Sequence, residues 1–157
     1  MNFGFSYVGL IFLVLLFVPN MLWTNNKPQD YDKYVINENK FLLGLERIGE
    51  VLVSCLALIF SDFNPQGITV WEFWLLAACV WMFLYEIYWV RYCRSPKTMK
   101  DFYRSLVGVP VAGATMPVLA FLCLGIYGRN PFLVLAVVVL GIGHIGIHLC
   151  HRKDVSN

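Results

Sequence analysis

The sequence predicts an all-α integral membrane protein, a single domain over residues 1–157 built as a bundle of five transmembrane helices. Three observations carry this. Hydrophobic residues make up 59% of the chain and charged residues 14%, with a mean hydropathy of +0.64, too apolar for an ordinary soluble domain of 157 residues. The apolar residues come in five long blocks, each near the ~20 helical residues needed to cross a hydrocarbon core about 30 Å thick. Finally, the lysines and arginines fall almost entirely on one side once the blocks alternate across a membrane.

The first block covers residues 3–23. No Lys or Arg precedes it and no small-x-small cleavage site follows it, so it is expected to be a retained span rather than a secretory signal. Residues 24–40, TNNKPQDYDKYVINENK, are too polar to enter lipid and form a loop or interfacial segment. The second block, residues 38–62, begins at a cap supplied by Asn37 or Asn39 and ends at the turn signals Asp62, Asn64, Pro65 and Gly67. The third, residues 70–92, has Trp71 and Trp74 at one end and Tyr88, Trp89 and Tyr92 at the other, as an interfacial aromatic belt requires.

Residues 95–105 predict a short amphipathic helix on the membrane surface before helix 4. Ser95 is placed as N-cap and Pro96 as first helical residue, with Met99, Phe102, Tyr103 and Leu106 on one side and Lys97, Lys100 and Arg104 on the other. The fourth block, residues 106–127, contains Gly108, Pro110, Gly113 and Pro117 and is expected to be kinked or locally opened. The fifth, residues 131–150, follows the turn GRNP.

Alternation of five helices puts Lys27, Lys33, Lys40, Arg47, Arg91, Arg94, Lys97, Lys100, Arg104, Arg152 and Lys153 on one side, eleven of the twelve basic residues, with Arg129 alone opposite. The positive-inside rule then gives an N-out/C-in arrangement: a multi-pass protein of the cell membrane with a cytoplasmic C-terminus.

With the sides set, the intramembrane polar residues converge in depth. His144, His148 and His151 fall within one narrow arc of the last helix, and His144 lies about 9 Å inside the end expected at residue 150. Glu86 on the third helix and Glu46 and Glu50 near the start of the second belong to the same cytoplasmic third, with Arg47 and Arg91 as charge partners. On the second helix Glu46, Glu50, Ala57 and Ser61 form a small, polar stripe that lipid would penalise.

Four chemistries suit this Glu/His cluster. His144 and His148 at i, i+4 can reach one divalent metal, with zinc, iron or manganese completed by carboxylate oxygens. Glu46, Arg47, Glu50, Glu86 and Arg91 can form a ligand or proton site, which in so small a chain implies a proton-coupled transporter acting as a homo-oligomer through Gly108, Ala112, Gly113, Gly141, Gly143 and Gly146. Lys97, Lys100 and Arg104 can attract lipid headgroups to an enzyme acting on them. The fourth reading is a structural or partner-binding subunit whose polar groups only satisfy one another, with His148 and His151 meeting headgroups.

Other classes are disfavoured. The three histidines are too few for the several histidine boxes of membrane desaturases and hydroxylases. Cys55, Cys79, Cys93, Cys123 and Cys150 form no CxxC, and Cys150 points away from the histidine arc. There is no Walker loop and no GxSxG elbow, and the apolar GIGHIG lacks the preceding strand of a dinucleotide fingerprint, so nucleotide chemistry and nucleic-acid binding are not expected. Membrane lipids are the expected partners.

Overall fold

The computed structural model describes residues 1–36, 38–67 and 69–156. These are helical, with isolated bridges in place of strands. The elements are α1 (Tyr7–Thr24), α2 (Tyr31–Val35), α3 (Lys40–Ile59), a 3-10 turn (Ser61–Phe63), α4 (Glu72–Cys93), α5 (Met99–Phe102), α6 (Ala112–Tyr127) and α7 (Pro131–Ser156). Three of them, α1, α4 and α7, are long and apolar enough to cross a membrane.

Local chemistry sets the boundaries, and several differ from the sequence expectation. Helix α1 starts at Tyr7 rather than residue 3 because Ser6 is a strong N-cap, its hydroxyl accepting from Gly9 N–H at 2.8 Å. The residues before it run extended along the end of α3, Gly4 N–H donating to Ile59 O and Ser6 N–H to Leu58 O, both at 3.0 Å. Asn39 caps α3 by accepting from Phe41 and Leu42, while Asn37, the alternative cap, lies outside the described residues. Helix α7 continues six residues past the expected end at Cys150, since no Gly or Pro stops it and His151 is buried against neighbouring segments.

The largest corrections lie between α4 and α6. Ser95 is not a helix N-cap: its hydroxyl turns back to Tyr92 O at 2.7 Å and ends α4. Thr98 takes the capping role, in a reciprocal capping box with Asp101 that starts the four-residue α5. Residues 103–111 are not helical. Val107, Gly108 and Val111 have positive φ, and Pro110 keeps Val109 out of the helical region, so α6 begins only at Ala112. The apolar side of the segment packs on the protein. Met99, Phe102 and Tyr103 are buried in the end of the bundle, with Phe102 ringed by Trp23, Tyr31, Tyr88, Trp89 and Tyr92.

Round the bundle the helices follow the order α1, α3, α7, α6, α4 and back to α1. Two close contacts in opposite order make α3 antiparallel to α7, as Leu42 meets Gly146 and Gly49 meets Leu140. Helix α4 is likewise antiparallel to α6, Tyr88 meeting Gly113 and Glu72 bonding Tyr127 at 3.1 Å. One end therefore gathers residues 24–36, 38–46, 88–113 and 144–156. The other gathers the N-terminal residues, the turn after α3 and residues 127–131, where Asn64 Oδ1 accepts from Tyr7 N–H at 3.0 Å.

Of the glycines considered for contacts between copies, Gly113, Gly141, Gly143 and Gly146 meet residues of the same chain, while a methyl group at Gly108 would meet nothing within 4 Å. A methyl group at Gly143 would collide with the backbone of Leu42 and Glu46, and one at Gly49 with Leu140. These two absent side chains let α3 and α7 approach closely, the usual role of small residues between membrane helices.

Candidate metal centre

The approach of α3 to α7 puts Glu46 opposite His144. The carboxylate is buried, 9% exposed, and its Oε1 is in hydrogen-bond contact with His144 Nδ1. A carboxylate only accepts, so His144 donates from Nδ1. One turn along, the His148 ring lies 4.7 Å from that of His144, nearly perpendicular to it. Glu46, His144 and His148 each offer a ligand atom, and these atoms all lie within 4.8 Å of one another. Two imidazoles and a carboxylate form a group that could hold a divalent metal.

The group lies in the wall of a cavity of about 360 Å³ at the end of the bundle that gathers residues 24–36, 38–46, 88–113 and 144–156. Trp23, Tyr31, Tyr88, Trp89, Phe102 and Tyr103 supply its aromatic walls. Its volume falls in the range of small-molecule sites. Its cations are already engaged: Arg47 pairs with Glu50 at 3.0 Å, and Lys27 lies 3.9 Å from Asp32 and 5.6 Å from the Trp23 ring centre. Glu46 and Glu50 are thus held apart, one on His144 and the other on Arg47.

Beyond His148 the polar contacts continue. Tyr103 Oη lies 3.1 Å from His148 Nδ1 and 3.0 Å from His151 Nδ1. His151, 2% exposed, places Nε2 3.2 Å from Glu38 Oε1, although its N–H direction misses the oxygen. His151 therefore does not meet headgroups. Burial raises the Glu38 carboxyl above its usual range, Glu46 adds to this and Arg47 opposes it. Burial also pushes Tyr31 up to about 12, helped by Glu38, Glu46 and Asp32. Tyr103 is raised too, again mainly by burial.

The remaining residues named from the sequence separate. Glu86 stays outside the cavity lining; its Oε1 is buried without a hydrogen-bond partner among the described residues. The convergence rested on depth, and depth does not fix rotation: the packed face of α4 is Met82, Tyr85, Tyr88, Trp89 and Tyr92. Arg91 pairs with no carboxylate of the cluster and instead donates to Arg104 O at 2.7 Å and Ser105 O at 2.9 Å. Of the residues assigned to headgroups, Lys100 and Arg104 are exposed, while Lys97 donates to Asn26 Oδ1 at 2.6 Å.

Sequence reasoning missed Glu38, Tyr31 and Tyr103 as members of the site. The signal for Glu38 was its place at the very start of the second block, on the side shared by the cluster. Tyr103 was read for its apolar ring and not for its hydroxyl. No protein-family model, curated protein or solved structure matches the chain.

Proposed function

We propose that this is a five-span membrane protein, N-out and C-in, in which Glu46, His144 and His148 bind one divalent transition metal, zinc, iron or manganese, beside the 360 Å³ cavity. The observation that carries the reading is the closeness of three ligand atoms of the right kinds, drawn from two helices whose packing glycines fix their approach. Two histidines and one carboxylate leave coordination positions open, and a cavity beside them would admit water or a ligand to the ion. The metal charge would also offset the cost of keeping ionisable groups at membrane depth.

The topology has its own support. Successive long helices run antiparallel, and the end that holds the cluster also holds all the basic residues but Arg129, which stacks on Trp71 at 4.3 Å at the opposite end. Helix α6, with 16 residues, is about 24 Å long and shorter than the hydrocarbon core, but the folded segment before it completes that layer. The exposed Lys100 and Arg104 suit a surface in contact with anionic lipid.

The test is elemental analysis of protein purified in mild detergent without a histidine tag, beside His144→Ala/His148→Ala and the milder Glu46→Gln. Near-stoichiometric metal in the wild type that is lost in the double variant and reduced in Glu46→Gln is the expected result. Wild-type protein with no more metal than the double variant overturns the reading.

A further inference from the structure

We infer that Tyr103 is a positioning residue that fixes the ring proton of His148 on Nδ1, so that Nε2 faces the metal with its lone pair bare. The inference deepens the metal reading and rests on it for its consequence. The proton order itself is a property of the metal-free chain.

The order is set from Glu38. Its Oε1 stands 3.2 Å from His151 Nε2, a distance at which a ring lone pair and a carboxylate oxygen repel, so the His151 proton belongs on Nε2 even with imperfect alignment. The neutral ring then offers Nδ1 as an acceptor. Tyr103 Oη, 3.0 Å away, donates its one proton there. Only lone pairs of that hydroxyl remain for His148 Nδ1 at 3.1 Å, so His148 must donate from Nδ1. Glu46 imposes the same tautomer on His144 from the other side. His148 thereby presents its Nε2 lone pair, as metal-ligating histidines do when their other nitrogen is held by a hydrogen bond, whereas a metal bound by both Glu46 and His144 must first part the Glu46–His144 contact.

A second observation is how firmly Tyr103 is placed. The Thr98–Asp101 capping box starts the turn that leads to it, and Tyr103 N–H donates to Met99 O at 3.0 Å. Tyr88 Oη donates to Phe102 O at 2.7 Å, and Arg91 holds Arg104 O and Ser105 O. The carbonyls on both sides of Tyr103 are thus tied to α4, while the ring is 5% exposed. A hydroxyl held this way can select one proton arrangement among several.

The test uses full-length protein labelled with ¹⁵N in its histidine rings, metal-free at neutral pH, with resonances assigned by single His→Gln variants. The expected spectrum has the proton on Nδ1 of His144 and His148 and on Nε2 of His151. In Tyr103→Phe, which removes one oxygen and keeps the ring, His148 should become a mixture of tautomers and zinc should bind about tenfold more weakly or worse. The unfolding midpoint of the metal-free variant shows whether the fold is kept. A wild-type His148 protonated on Nε2, or a Tyr103→Phe protein that keeps both the wild-type tautomer and zinc affinity, overturns the inference. Zinc failing to bind wild-type protein whose His148 carries its proton on Nδ1 overturns the metal reading alone.

Discussion

Glu46 and His144 meet because Gly143, the residue before His144, has no side chain: its Cα faces the backbone of Glu46 and Leu42 so closely that any Cβ would collide with it. Packing and chemistry at the centre are therefore one feature. Gly143→Ala should destabilise the protein by about 1–3 kcal/mol through overpacking, although alanine is intrinsically the better helix former. Gly44→Ala, where a methyl group meets nothing within 4 Å, is the control and should be neutral or slightly stabilising. Thermal unfolding in detergent measures both. Equal effects at the two positions would show that α3 and α7 do not approach as described.

The two membrane carboxylates should respond oppositely to neutralisation. Glu46→Gln removes the acceptor charge opposite His144 and should lower metal content. Glu86→Gln touches neither the cavity nor the histidines and removes an acid whose Oε1 is buried without a partner among the described residues. It should leave metal content unchanged and the unfolding midpoint equal or higher. Loss of metal in Glu86→Gln would mean that α4 is rotated toward the cluster.

Why one carboxylate could be placed from sequence and the other could not follows from their helices. Helix α3 has polar and small residues on one side, Glu46, Gly49 and Ala57, so its orientation toward α7 is written in its pattern. Between Glu72 and Arg91 at its ends, helix α4 is apolar all round apart from Glu86, and aromatic volume decides which side packs. The start of α6 was equally hidden, since left-handed Val107 and Val111 are tertiary choices that local propensity does not favour. The end of α7 was misjudged because the HRK run resembled a headgroup boundary, whereas His151 is drawn inward by Tyr103 and Glu38.

Acid should loosen the segment that carries Tyr103. The Thr98 hydroxyl, then its backbone N–H, holds the Asp101 carboxyl below its usual range. A depressed carboxyl contributes stability that is present above the unfolded value of about 3.9 and lost as pH falls through the folded value. Amide exchange at Phe102 and Tyr103, corrected for intrinsic rates, should therefore accelerate below about pH 4. Asp101→Asn should abolish that pH dependence. Persistence of the transition in Asp101→Asn would assign it to another group.

Arg91 ties the same segment to α4 through two carbonyl acceptors. Arg91→Ala should cost about 1.5–3 kcal/mol of local stability, the range for hydrogen bonds from a charged group, and appear as faster proteolysis within residues 103–111. Arg91→Lys should recover only part of this, because an ammonium lacks the forked geometry that reaches Arg104 O and Ser105 O together. Full recovery by lysine would reduce the contact to charge alone.

The proposed sidedness gives the last prediction. In a variant with its cysteines replaced, single cysteines at Gln66 and Lys153 probe the turn after α3 and the end of α7, both exposed. If five spans alternate with the basic end inside, a membrane-impermeant thiol reagent added to intact cells labels Gln66→Cys and spares Lys153→Cys until the membrane is opened. Labelling of both in intact cells would require an even number of crossings between them. Because α4 and α7 are long and apolar enough to cross, it would then be α6 that fails to span. In that case residues 94–130 would all stay on the side that α4 reaches, Arg129 among them, and the grouping of basic residues at one end of the bundle would lose its topological meaning.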